Sequence, residues 1–277
     1  MSDRKRAVII GCGRMGACRD HHSNLANYSH IEAYQALQDR VEVVGFVDRV
    51  IDRAKQAAQQ WGVKFYGDHV AAALAHLGPD IVSICTPPSD RYEIVKACEE
   101  SPTIQGIWCE KPYGLNWTPY MRDAETEIKV QVDYIRRFDK RHQQIRARRL
   151  ADAGVLTPPG HLVVISANDI HTTSHFTDLA DYWHIARERL LYIPFHGPSL
   201  YILRESGPDA GRYAGWKDEA FIGGGVETGF MEAALGNLLD AVDGTADLIS
   251  PAGPSLYASE LWAEEIVLGR TGVGQTR

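Results

Sequence analysis

Two short stretches carry residue types that do chemistry. "IIGCGRMG" sets glycines at Gly11-x-Gly13-x-x-Gly16, with Arg14 and Met15 inside the loop. In a strand–turn–helix setting the first glycine makes a tight turn. The second lets the backbone approach a pyrophosphate, and the third lets helix and strand pack closely. Free N–H groups at the start of the following helix suit phosphate oxygens. The second stretch, "IWCEKPYGLN" (107–116), closes an apolar run on Glu110, Lys111 and Pro112, a cation set between an acid and a proline. The proline restricts Lys111 to extended backbone and admits a cis bond.

Asp48 ends the second apolar run, where a carboxylate accepts hydrogen bonds from ribose hydroxyls and favours NAD(H). Arg49 follows at once and suits a 2′-phosphate, so NADP(H) stays as the alternative. The separation of Gly16 from Asp48 exceeds the usual ~20 residues. The excess, "CRDHHSNLANYSHIEAYQ", reads as an insertion before or within the first helix. A methyltransferase also uses a glycine-rich first loop and an acid at the second strand end, so these features alone leave two enzyme classes open.

The elements that must position these groups alternate. Near-continuous apolar runs at 6–11, 41–48, 80–88 and 104–110 suit strands buried on both faces of a parallel sheet. Helical patterns lie between them at 14–38, 50–61, 68–77 and 90–100. Alternation of this kind predicts an α/β, doubly wound Rossmann sheet. After residue 115 the order changes. Strands are expected at 128–138, 160–168 and around 188–195 and 198–204, followed by an irregular Gly-rich stretch. Helices are expected at 139–154, 229–244 and 255–269. We expect a Rossmann domain over 1–118 and a smaller C-terminal α+β domain over 119–277. The second domain would carry an open, mainly antiparallel sheet, and its last helices would pack back on the first.

The chain of 277 residues is 44% hydrophobic, with a formal net charge of −7, so nucleic acid and anionic membranes are disfavoured as partners. No apolar stretch has the length of a membrane span. The five cysteines are odd in number and form no CxxC pair, which fits reduced thiols in a cytoplasmic protein. The basic run "RRFDKRHQQIRARR" (136–149) reads first as a solvated helix face.

In order along the chain, "GCGRMG", "VVGFVD", "PDIVSICTPP", "CEKP", "YIRRF" and "HFTDL" (175–179) resemble the Gfo/Idh/MocA family of NAD(P)-dependent oxidoreductases. The pairing of "TPP" with "CEKP" is foreign to a methyltransferase. The resemblance implies hydride transfer at a sugar, cyclitol or related polyol carbon. Lys111 would orient the reacting oxygen and His175 would relay the proton. It adds Thr86, Pro87, Pro88, Glu110 and Lys111 to Gly11, Gly13, Arg14, Met15, Gly16, Asp48 and Arg49 as cofactor contacts. His171, Tyr134, Arg137 and Asp178 become substrate contacts, and a homodimer or homotetramer is expected. Three departures stand out. His171 occupies the place of the family acid, Arg91 stands where a histidine is frequent, and the segment between "CEKP" and "YIRRF" is short. His171 and His175 are too few for a metal site. Two other readings stay open: reduction of a non-sugar C=O or C=N group, and a non-catalytic dinucleotide sensor.

Overall fold

The computed structural model describes residues 4–17, 29–113, 127–140, 143, 200–205, 216–222 and 229–253. They divide between two compact units, 1–135 with 228–257, and 136–227 with 258–277.

The first unit is built on six parallel strands: β1 (Lys5–Ile10), β2 (Val41–Val47), β3 (Phe65–Gly67), β4 (Ile81–Ile84), β5 (Gly106–Cys109) and β6 (Lys129–Val132). Their spatial order, β3-β2-β1-β4-β5-β6, is that of a dinucleotide-binding sheet. The strands are short β-branched runs covered on both faces; Val8, Ile9, Val82, Ile84 and Ile107 are essentially inaccessible. Helices α1 (His30–Ala36), α2 (Ile51–Trp61), α3 (Val70–Leu77) and α4 (Arg91–Glu99) form the crossovers. Strand order reverses between β1 and β4, so their carboxyl ends open a crevice at the switch point.

A fifth helix, α5 (Phe230–Val242), returns from far along the chain and packs on α1, β5 and β6. Gly106 makes this close approach achievable, because a Cβ there would lie 2.9 Å from Val242 Cγ2. The Gln131 amide donates to the Ala234 carbonyl of α5 at 2.6 Å. Backbone bonds Val132 N to Ser250 O and Ala252 N to Val130 O, both 2.9 Å, then lay residues 250–252 along β6 and cover that sheet edge.

Two readings of the sequence are corrected. The run 128–138 is a strand only to Val132, after which Ile135–Phe138 turns as a 3₁₀ helix. The stretch taken as irregular and Gly-rich contains β8 (Trp216–Ile222), antiparallel to β7 (Leu200–Glu205) in the second unit. The short β3 was also missed, three residues being too few to show a period.

Candidate functional site

The glycine turn joins β1 to α1. Gly11 has φ +93°, and a Cβ on it would lie 2.7 Å from the Cys85 carbonyl carbon. On Gly16 a Cβ would fall 1.9 Å from Gly11 O. These two glycines are therefore demanded by the chain's own packing. Gly13 differs: a Cβ there would meet nothing within 4 Å. The turn keeps open the one position whose role is backbone approach by a pyrophosphate.

The insertion leaves the helical register intact. His30 N donates to Met15 O at 2.8 Å and Ile31 N to Gly16 O at 3.1 Å, so α1 resumes the i→i−4 ladder as though residues 18–28 were absent. Skipping them restores the ~20-residue spacing between Gly16 and Asp48. The restart is marked locally, since the Glu32 carboxylate accepts from Ser29 N and Ser29 Oγ. This is the reach-back half of a capping box.

A cavity of about 320 Å³ lies beside the turn, with Gly11, Gly13, Asp48, Arg49, Thr86 and Pro87 among its walls. Asp48 accepts from Cys12 N (2.8 Å) through Oδ2 and from Val50 N (2.9 Å) through Oδ1, which ties the glycine turn to the end of β2. Each oxygen keeps a lone pair for a further donor. Arg49 is exposed and faces Asp90 at 3.8 Å. Thr86 Oγ1 is buried without a hydrogen-bond partner, a state that calls for an incoming donor or acceptor. Arg14 is exposed on the turn, and Pro88 opens the 3₁₀ turn leading into α4. The open Gly13, the orphan hydroxyl and the tethered carboxylate fit a dinucleotide.

Arg91 explains one departure from the family pattern. Its side chain is buried at the start of α4. Nε and a terminal nitrogen donate to Thr86 O at 2.9 and 2.6 Å. The other terminal nitrogen donates to the carbonyls of Glu110 and Pro112. One planar guanidinium thus fastens the Thr86 wall of the cavity to the turn carrying Lys111. The Lys111–Pro112 peptide in that turn is cis.

Behind the turn lies a buried polar cluster that the sequence reading did not single out. His30 Nδ1 meets Ser83 Oγ at 3.1 Å, and Tyr34 Oη meets the same hydroxyl at 2.9 Å. His30 Nε2 faces Glu110 Oε1 at 3.4 Å and Asp133 Oδ2 at 3.9 Å. The His30 ring packs on Trp108, with centroids 3.8 Å apart. Trp108 Nε1 donates to Asp133 Oδ1 at 3.1 Å, and Lys111 N donates to Glu110 Oε2 at 3.2 Å. Burial opposes ionisation of Glu110, but the adjoining His30 and the charges of Arg91 and Lys111 outweigh it and hold its carboxyl below the usual range. Burial and the neighbouring Glu110 charge push Asp133 well above its usual range. The signal that would have exposed His30 is the Ser29-x-x-Glu32 pattern, which marks a helix start one residue before it.

Tyr134 is fully buried in the first unit. Arg137 belongs to the second unit, where its carbonyl accepts from Gln143 Nε2 at 3.0 Å. His171, His175 and Asp178 lie outside the described residues.

The family described as "Oxidoreductase family, NAD-binding Rossmann fold" (GFO_IDH_MocA) matches residues 5–135. A 4-carboxy-2-hydroxymuconate-6-semialdehyde dehydrogenase of Sphingobium sp. is 29% identical over 150 residues, 53% of this chain and 43% of its own length. A scyllo-inositol 2-dehydrogenase (NAD(+)) of Bacillus subtilis is 28% identical over 164 residues, 57% of this chain and 43% of its own length. The matched stretch therefore spans less than half of either relative. Among solved structures, the WlbA dehydrogenase of Bordetella pertussis, in complex with NADH and UDP-GlcNAcA, shares the fold with TM-score 0.65. Its identity is 15%, over 99% of this chain and 98% of that one. Residues 5–135 are thus similar to the NAD-binding Rossmann domain of the Gfo/Idh/MocA oxidoreductases.

Proposed function

We propose that this protein is an NAD-dependent dehydrogenase acting on a CH–OH carbon of a sugar, cyclitol or related polyol. The observation carrying this reading is the Arg91 clamp, which fixes the Lys111 turn to the Thr86 wall of the dinucleotide cavity. Bound nicotinamide supplies the hydride acceptor or donor. The Lys111 ammonium orients the substrate oxygen and stabilises the negative charge that develops on it. The His175 imidazole takes or returns the hydroxyl proton, a task suited to a group with an unperturbed pKa of about 6.5. His171, Arg137 and Asp178 complete the substrate contacts, and Tyr134 packs in the core of the first unit. The names of the inositol and glucoside dehydrogenases similar to this chain support the substrate class.

NAD is favoured over NADP because the Asp48 carboxylate in the cavity wall repels a 2′-phosphate. Titration of the purified chain with each cofactor tests this, and tighter binding of NADP would overturn it. The catalytic roles are tested with Lys111→Ala and His175→Ala on a panel of inositols, glucosides and nucleotide sugars, following NADH formation. Each variant should lose roughly 10²-fold or more in kcat; full activity in both would overturn the assignment. A second reading, oxidation or reduction of a non-sugar carbonyl, is favoured by the semialdehyde named for one relative. Semialdehydes in the panel distinguish it. Cofactor binding without turnover of any substrate would point to a sensor.

A further inference from the structure

His30, Glu110 and Asp133 form the one group of three potential ligating side chains found among the described residues, their nearest atoms all within 4.8 Å of one another. All three are buried, and they come from separate places in the first unit: the start of α1, the end of β5 and the turn after β6. Such a spacing admits a cation or a shared proton. The surroundings favour the proton. Two cationic side chains, Arg91 and Lys111, already bear on Glu110. Each carboxylate also has one oxygen committed, Glu110 Oε2 to Lys111 N and Asp133 Oδ1 to Trp108 Nε1. A divalent ion would add charge where positive charge is already in place. Two carboxylates brought together in one buried site repel each other, and holding one proton relieves that repulsion.

The remaining atoms face inward. His30 Nε2 and Glu110 Oε1 are both buried without a hydrogen bond that satisfies them, and they confront each other at 3.4 Å. Tyr34 and Ser83 close the cluster at His30. Burial and the Glu110 charge hold the Cys85 thiol protonated, and burial does the same for the Tyr34 phenol, so neither competes for the charge. The opposite directions in which Glu110 and Asp133 are shifted agree with one ionised and one protonated carboxyl.

We propose that Glu110 and Asp133 hold one proton between them, resident on Asp133, and that this unit, oriented by His30, sets the charge adjoining Lys111. Glu110, Asp133 and His30 are then positioning residues. They touch no substrate but act through the lysine, and this part of the inference rests on the role given to Lys111 above.

The test uses the full chain and begins without substrate. Infrared difference spectra near pH 7 compare wild type with Asp133→Asn and with Glu110→Gln. A protonated carboxyl C=O band should vanish in Asp133→Asn and persist in Glu110→Gln. Persistence of the band in Asp133→Asn overturns the proposal, even if Glu110→Gln fails to fold. A divalent metal bound stoichiometrically to wild type and lost in His30→Ala would also overturn it. With turnover, Glu110→Gln should lower kcat by at least ~10-fold with little change in KM for NAD, and should displace the pH profile of kcat. Asp133→Asn, whose amide donates where the proposed proton lies, should keep roughly tenfold more kcat than Glu110→Gln. Glu110→Asp should recover part of the loss. The reverse order of the two variants overturns the proton's placement. Absence of turnover with every substrate would defeat the functional reading while leaving the infrared result to decide the proton.

Discussion

At the carboxyl ends of β1 and β2, the sheet meets an open cavity walled by backbone, an orphan hydroxyl and a tethered carboxylate. At the ends of β5 and β6, it meets His30, Glu110 and Asp133 packed out of contact with water. The two regions share one sheet and use it in opposite ways. The first obtains binding capacity by leaving out side-chain atoms, with Gly13 facing space. The second surrounds buried carboxyls with cations and hydrogen bonds so that their proton states are fixed in a low-dielectric setting. A dinucleotide can be held by N–H groups and shape, which tolerate water at the rim. A group that must present a defined charge gains from exclusion of water, because every nearby charge then acts more strongly.

Arg91 joins the two regions, and its removal should have the largest effect. Arg91→Ala strips donors from the carbonyls of Thr86, Glu110 and Pro112 and leaves the Glu110 carboxylate short of a compensating charge. The expected destabilisation is about 3–5 kcal/mol, measured by denaturant unfolding. Arg91→Lys should restore little, because a lysine ammonium cannot reproduce the planar fork.

The next contrast lies inside the glycine turn. Gly16→Ala must move the Gly11 carbonyl, and a cost of about 1–3 kcal/mol is expected. Gly13→Ala meets no neighbour, so its unfolding free energy should stay within about 0.5 kcal/mol of wild type while NAD affinity falls. Equal melting temperatures for the two variants would break the division between packing glycines and a ligand-facing one.

The smallest effect is a difference in pH trend. The Glu110 carboxyl is held below its unfolded value of about 4.3, so its stabilisation is present above that pH and disappears as pH falls through the lower folded value. Glu110→Gln should therefore cost most near neutrality and least in acid. The Asp133 carboxyl is held above its unfolded value of about 3.9, so native stability is eroded as pH rises from there towards the folded value. Asp133→Asn should gain relative to wild type over that rise. Parallel pH trends in the two variants would remove the distinction between the carboxyls.

Much of this was legible in the residues. Runs such as "RAVII" and "DIVSI" are short, β-branched and bounded by turns, and they form central strands. The glycine spacing announced its turn, and Lys111-Pro112 announced a special peptide that is cis. Other features gave no local signal. β3 has three residues, and the 3₁₀ turn at Ile135–Phe138 follows β6 without a break in apolar pattern. His30 sat unremarked within an apparent insertion, because a helix that resumes after eleven residues shows no continuous period.

The sequence by itself determined the strand–turn–helix order, the glycine turn and the residue types delivered to the sheet's carboxyl edge. These depend on hydrophobic period, steric freedom and chain order, all of them local properties. Only the tertiary structure decided that Arg91 bridges two turns and that His30, Ser83, Glu110 and Asp133 share one buried cluster. Those residues lie on α1, β4, the end of β5 and the turn after β6, and they meet because the sheet order sets β4, β5 and β6 side by side. Their proton states follow from burial and mutual charge, which exist only after that assembly.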